Sequence, residues 1–160
     1  MTLEQRAAAL LDKCRVRGVK IATAESCTGG MVAALLTSIA GSSDVFDCGF
    51  VTYSNDAKVK MLGVSPGVIA EFGAVSRECA LAMAHGAILK SAATLAVSIT
   101  GIAGPGGGSA AKPVGLVYFA CAQRNGGTLH REKRFGDIGR DGVRKASVEV
   151  ALELLEAQLL

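Results

Sequence analysis

The chain has 160 residues, half of them hydrophobic and 19% charged, with a net charge of +3 at neutral pH, a balance that describes one domain with a sizeable core. Aromatic residues make up only 4%, Trp is absent and the basic residues are scattered, which argues against a nucleic-acid platform built from a basic stripe and stacking rings. Five cysteines without a CxxC pair fit a reducing cytoplasm rather than a disulfide framework, two isolated histidines offer no metal site, and no apolar run is long enough to span a bilayer.

Leu3, Ala7, Leu10 and Cys14 recur at helical spacing and predict a first amphipathic helix, without a signal-peptide core, ended by Gly18. The apolar run from Val19 to Thr23 reads as a buried strand. Val32, Leu35, Leu36 and Ile39 then predict a helix, closed by Gly41-Ser42-Ser43. From Val45 to Ser54, Phe46, Cys48, Phe50 and Thr52 alternate with the other residues, as in a second strand. Asn55 is placed to cap a short helix through Leu62, and Ser65-Pro66 starts another that Gly73 breaks. Ser76 caps a longer helix with Ala80, Met83, Ala84 and Ala87 inward. Thr94 to Thr100 forms a third strand and runs into the glycine-dense stretch Gly101 to Gly108. Val114 to Ala122 forms a fourth strand. Asn125-Gly126-Gly127 signals a hairpin to a fifth, Thr128 to Phe135, with alternating charges. A final helix from about Asp141 buries Val143, Ala146, Val150, Leu154 and Ala157. The expected fold is α/β: a single-domain, layered α/β/α arrangement over residues 1–160, with a mixed sheet of about five strands.

Three polar or glycine-rich stretches follow strands: Ser26 to Gly30, Tyr53-Ser54-Asn55, and Gly101 to Gly108. Ligands in α/β sheets bind beyond strand ends, so one pocket among the three is expected. The glycine stretch matches neither a P-loop nor a dinucleotide fingerprint. At the junction of the first strand with its helix, free backbone N–H groups favour phosphate or a developing oxyanion, and a hydroxyl there has the setting of a nucleophile. Ser26 then needs a base. His85, on a helix, and His130, on the hairpin, have no distinctive context, which argues against a Ser-His-Asp triad. Lys58 is the better base, because a buried lysine loses its proton readily. Tyr53, five residues earlier, is placed to pass the proton between serine and lysine. Arg140 and Arg144 share a face at the start of the last helix, where they could hold a phosphate. Spacing alone leaves plainer readings open. Ser26 or Thr28 could cap a helix, Tyr53 could be a half-buried strand residue, and Lys58 could be a solvated helix lysine. The arginines could pair with Asp137 and Asp141.

Several ordered motifs carry a resemblance: Thr23-Ala24-Glu25-Ser26-Cys27-Thr28-Gly29-Gly30, Gly49-Phe50-Val51-Thr52-Tyr53-Ser54-Asn55 with Lys58, Gly73-Ala74-Val75-Ser76, Ser98-Ile99-Thr100-Gly101-Ile102-Ala103-Gly104-Pro105, and Lys112-Pro113-Val114-Gly115. From about residue 5 to 155 the chain resembles the C-terminal domain family of CinA and, lacking that protein's larger N-terminal domain, its stand-alone nicotinamide-nucleotide amidases. The resemblance implies hydrolysis of the carboxamide of nicotinamide mononucleotide (NMN) to nicotinate mononucleotide and ammonia, without metal or other cofactor. It places the nucleophile on Ser26, the base on Lys58 and a relaying or orienting phenol on Tyr53. Substrate contacts are expected from Thr28, Gly29, Gly30, Thr100, Gly101, Gly104 and Arg140, with the oxyanion held by N–H groups near Thr28 to Gly30 or in the glycine loop. An apolar, small-residue surface and family habit suggest a homo-oligomer, and the cysteine usage a cytoplasmic one. One departure is visible: members often carry Gly-Asp-Arg before the last helix, whereas Ile138-Gly139 here separates Gly136-Asp137 from Arg140. Two rivals remain at this stage: a non-catalytic nucleotide-binding or regulatory module, and a cysteine hydrolase using Cys27.

Overall fold

A computed structural model describes residues 1–160. The elements run α1 (Leu3–Arg17), β1 (Ile21–Glu25), α2 (Met31–Thr37), β2 (Phe46–Val51), α3 (Asn55–Leu62), α4 (Pro66–Phe72), α5 (Arg77–Leu89), β3 (Leu95–Gly101), β4 (Leu116–Gln123), β5 (Thr128–Arg134) and α6 (Arg140–Gln158). The strands form one sheet in the order β2-β1-β3-β4-β5. β1 runs parallel to β2 and β3, while β3, β4 and β5 are successively antiparallel. This is the layered fold with a mixed five-stranded sheet that the pattern of elements predicts.

Side-chain alternation builds the two faces of the sheet. Leu95, Val97 and Ile99 of β3, with Val117, Phe119 and Cys121 of β4, meet α1, α2 and α6 in a core that includes Leu10, Leu36 and Leu152. The opposite face is lined by Ala22, Ala24, Ala96, Ala120 and Ala122, and packs against Ala80, Met83, Ala84 and Ala87 of α5. Small residues on both sides let helix and sheet approach closely. Gly86 has the same purpose toward α3: a Cβ there would lie 2.0 Å from the Leu62 carbonyl oxygen.

Several boundaries differ from those expected, each for a local reason. β1 continues through Glu25, because its ladder with β2 and β3 persists to that residue. β2 stops at Val51 rather than Ser54. The Thr52 carbonyl is taken instead by the Lys58 amine, and Ser54, not Asn55, caps α3 by accepting from the Ala57 N–H. Ala146 and Ala157 are half-buried; Ser147, Val148, Ala151, Leu152 and Leu155 complete the buried stripe of α6 instead.

The order of the strands decides where a ligand fits. From β1 the chain crosses through α2 to β2 on one side, then returns through α3, α4 and α5 to β3 on the other. The connections therefore diverge between the carboxyl ends of β1 and β3 and leave a crevice there.

Candidate active site

A pocket of about 260 Å³ opens at that crevice, lined by Ser26, Cys27, Tyr53, Gly101, Ile102, Ala103, Gly104, Gly106, Gly107 and Arg140. All three stretches singled out in the sequence meet there. Ser26 follows directly on β1, with its N–H donating to the Ile99 carbonyl of β3 at 3.0 Å and its side chain left at the pocket wall.

Lys58 enters from α3. Its Nζ lies 3.1 Å from Ser26 Oγ and donates to the Thr52 carbonyl at 2.9 Å. The residue is 2% exposed, so it is not a solvated helix lysine. Burial holds its pKa below the ordinary lysine value, because the low-dielectric surroundings disfavour the ammonium. Its neighbours Cys27 and Cys79 offer no countercharge at neutral pH: burial pushes the Cys27 thiol up to about 11 and raises that of Cys79 as well. No carboxylate forms an ion pair with Lys58. An amine in this setting gives up its proton more readily than a free lysine, and it lies within hydrogen-bond reach of a hydroxyl.

Tyr53 is placed differently from the relay expected between serine and lysine. The ring is 61% exposed and its hydroxyl accepts from Arg140 Nη2 at 2.7 Å, while Lys58 reaches Ser26 directly. Arg140 also donates through Nη1 to the Gly104 carbonyl at 2.8 Å, so its guanidinium ties β2's exit to the glycine loop across the pocket. Neither Arg140 nor Arg144 pairs with Asp137 or Asp141; Arg144 instead donates to the carbonyls of Cys27 (3.1 Å) and Thr28 (3.4 Å). A cation on the first residue of a helix opposes the helix dipole, and here the cost is met by contacts with the pocket walls.

Gly101, Gly104 and Arg140 line the pocket, whereas Thr28, Gly29, Gly30 and Thr100 do not. The Thr100 hydroxyl donates to the Ala74 carbonyl, and the Thr28 hydroxyl donates to Glu25. Glu25 is the feature that residue spacing did not disclose. Its fully buried carboxylate accepts from Thr28 Oγ1 at 2.7 Å and from the N–H groups of Val32 and Ala33 at 2.9 and 3.1 Å. Neither Ser26 nor Thr28 caps α2; Glu25 does so from the preceding strand. A second anion at that helix end would meet the carboxylate's charge. The available signal was an acidic residue inside an otherwise apolar strand, just before a helix whose N-cap, Gly30, has no side chain.

Neither histidine approaches the pocket; His85 hydrogen-bonds Thr128 on β5. The structure contains no cluster of three or more His, Cys, Asp or Glu side chains arranged to hold a metal ion. No helix is long and apolar enough to cross a membrane.

The model of the CinA C-terminal domain family matches residues 3–159. The chain is 52% identical over 147 residues to the nicotinamide-nucleotide amidohydrolase PncC of Escherichia coli K12, covering 91% of this chain and 88% of that protein. It is 51% identical to a CinA-like protein of Geobacter sp. M21, covering 99% of this chain but only 37% of that longer protein. Among solved structures, the competence/damage inducible protein CihA from Agrobacterium tumefaciens superposes with a TM-score of 0.95 and 57% identity, covering 97% of this chain and 94% of the other.

Proposed function

The chain belongs to the CinA C-terminal domain family, and we propose that it is a nicotinamide-nucleotide amidohydrolase that converts NMN and water to nicotinate mononucleotide and ammonia. The observation that carries this reading is the buried Lys58 amine 3.1 Å from the Ser26 hydroxyl, at the wall of a pocket. Ser26 Oγ attacks the carboxamide carbon while Lys58 accepts its proton. The tetrahedral intermediate collapses by breaking the C–N bond, and Lys58 returns the proton to the leaving nitrogen, which departs as ammonia. Water then attacks the acyl-serine with Lys58 as base, releasing the carboxylate and restoring both residues. Lys58 serves both half-reactions because it faces Ser26 directly, so no relay is required.

Tyr53 and Arg140 take the mouth of the site in this reading. The exposed phenol ring offers a face to the pyridine, and Arg140, together with the free N–H groups at the start of α6, offers a phosphate the charge that the start of α2 cannot. The five unpaired thiols support a cytoplasmic setting. Exposed Val51, Met61 and Phe72 support a homo-oligomer.

The test is ammonia release by purified protein from NMN, nicotinamide riboside, nicotinamide and NAD. NMN is expected to be turned over best, since only it presents a terminal phosphate to Arg140 along with the carboxamide. Pyridine-nucleotide binding with no ammonia from any of the four overturns the reading. In the same assay Cys27→Ala is expected to keep activity within about threefold, because a thiol held near pKa 11 supplies almost no thiolate at neutral pH. A loss of about 100-fold or more would transfer the nucleophile to Cys27.

A further inference from the structure

In the loop that follows Ser26 the carbonyls are all taken, while two N–H groups are left over. The Ser26 carbonyl accepts from the Gly29 N–H at 3.0 Å. The Cys27 carbonyl accepts from Arg144 Nε at 3.1 Å, and the Thr28 carbonyl accepts from the Met31 N–H at 3.0 Å and from Arg144 Nη2 at 3.4 Å. The N–H groups of Cys27 and Thr28 donate to no other residue, although both residues are buried and Cys27 lines the pocket beside Ser26. Buried backbone donors without partners are rare and costly. Across a trans peptide the carbonyl and the N–H point in opposite directions. Holding a carbonyl therefore fixes where the next N–H is aimed, and a charged donor on that carbonyl further polarises the N–H. Two successive N–H groups left free in a turn form a concavity for an anion.

We propose that Arg144 is a positioning residue for the oxyanion: gripping the Cys27 carbonyl from α6 aims and polarises the Thr28 N–H, and gripping the Thr28 carbonyl sets the Gly29 N–H that holds the Ser26 carbonyl and so aims the Cys27 N–H, both toward the oxygen that becomes negative when Ser26 adds to the carboxamide. The assignment rests on the amidohydrolase reading and identifies the oxyanion donors within it. Arg144 touches no reacting atom. Its neighbour Arg140, one helical turn earlier, faces the other wall of the pocket through Gly104 and Tyr53. The first turn of α6 thus holds both the nucleophile loop and the glycine loop.

The experiment compares wild type, Arg144→Met and Arg144→Lys with three ligands: NMN as substrate, nicotinate mononucleotide as product, and an NMN analogue carrying a boronic acid in place of the carboxamide. The boronic acid forms a tetrahedral adduct with a serine hydroxyl. In Arg144→Met, kcat is expected to fall about 30-fold or more, with KM within about twofold, since oxyanion donors act on the transition state. Boronate affinity falls by the same factor as kcat/KM while product affinity stays unchanged. Arg144→Lys recovers part of both losses, because one charged donor returns. Unchanged kcat in Arg144→Met overturns the proposal. So does an equal loss of boronate and product binding, which would mark a merely structural contact. Wild-type protein that neither hydrolyses NMN nor binds the boronate overturns the amidohydrolase reading and this assignment with it, a result distinct from failure of the Arg144 variants alone.

Discussion

Ser26→Ala is expected to lower ammonia release from NMN by at least about 10⁴-fold in kcat/KM while leaving the fold in place, the usual scale for loss of an activated nucleophile. The size of the effect follows from the chemistry that remains. Lys58 keeps its place, bonded to the Thr52 carbonyl, and the pocket walls keep their contacts through Arg140 and Arg144. Nothing else in the pocket replaces the hydroxyl: Cys27 is adjacent, but its thiol is held near pKa 11 and it packs in the core against α6. The structural cost is one hydrogen bond to an amine, about 1 kcal/mol. Ammonia release and a thermal unfolding curve on the same preparation check both halves. Activity within tenfold of wild type would remove Ser26 from the mechanism, and unfolding at the assay temperature would call for Ser26→Gly in its place.

Lys58→Met carries the second large effect, and it separates activity from stability. Loss of the base is expected to cost about 10³-fold or more in kcat/KM. In wild type, kcat/KM rises with pH in proportion to the neutral fraction of Lys58 and levels off once pH passes the lowered folded-state pKa; the variant lacks that limb. Stability moves the other way. Because the folded pKa lies below the ordinary 10.5, the unfolded chain binds the lysine proton more readily than the folded protein. Above 10.5 both states are neutral and the group costs nothing. As pH falls below 10.5 toward the folded pKa, the unfolded state gains the proton first and wild type loses stability. Below the folded pKa the penalty stays constant. Methionine fills the space and never takes a proton, so the variant is expected to unfold at a higher temperature than wild type at pH 7 and to lack this part of the pH dependence. Thermal unfolding from pH 6 to 10 checks this. A stability difference from wild type that does not change with pH would mean that folding does not lower the Lys58 pKa, and the general-base role would fall with it.

Burial of the Lys58 amine accounts for the early end of β2 and goes with the shifted start of α3. The Thr52 carbonyl, which would otherwise continue β2, is the amine's partner, and the chain turns into α3 one cap earlier than the Asn55 pattern implies. The Glu25 cap is a second instance. A strand residue whose side chain takes two helix N–H groups looks, in one dimension, like an acidic residue near a serine.

What the sequence by itself determined are properties carried by neighbours along the chain. Period-two runs from Leu95 to Thr100 and helical spacing through Val143, Val150 and Leu154 depend on each residue's own direction from the backbone, which φ and ψ set locally. The glycines after β3 and the polar ends of β1 and β2 likewise mark where a pocket can open, and ordered motifs resembling the CinA C-terminal family named the residue types that gather there. Only the tertiary structure decided who meets whom. Ser26 and Lys58 are 32 residues apart, Tyr53 and Arg140 are 87 apart, and Arg144 reaches Cys27 across 117. Contacts of that range depend on how two layers of helices seat on the sheet, a sum of packing terms to which no short stretch of sequence contributes more than a fraction. Hence Tyr53, placed by spacing between serine and lysine, turns instead to Arg140, and Lys58 takes Ser26 without an intermediary.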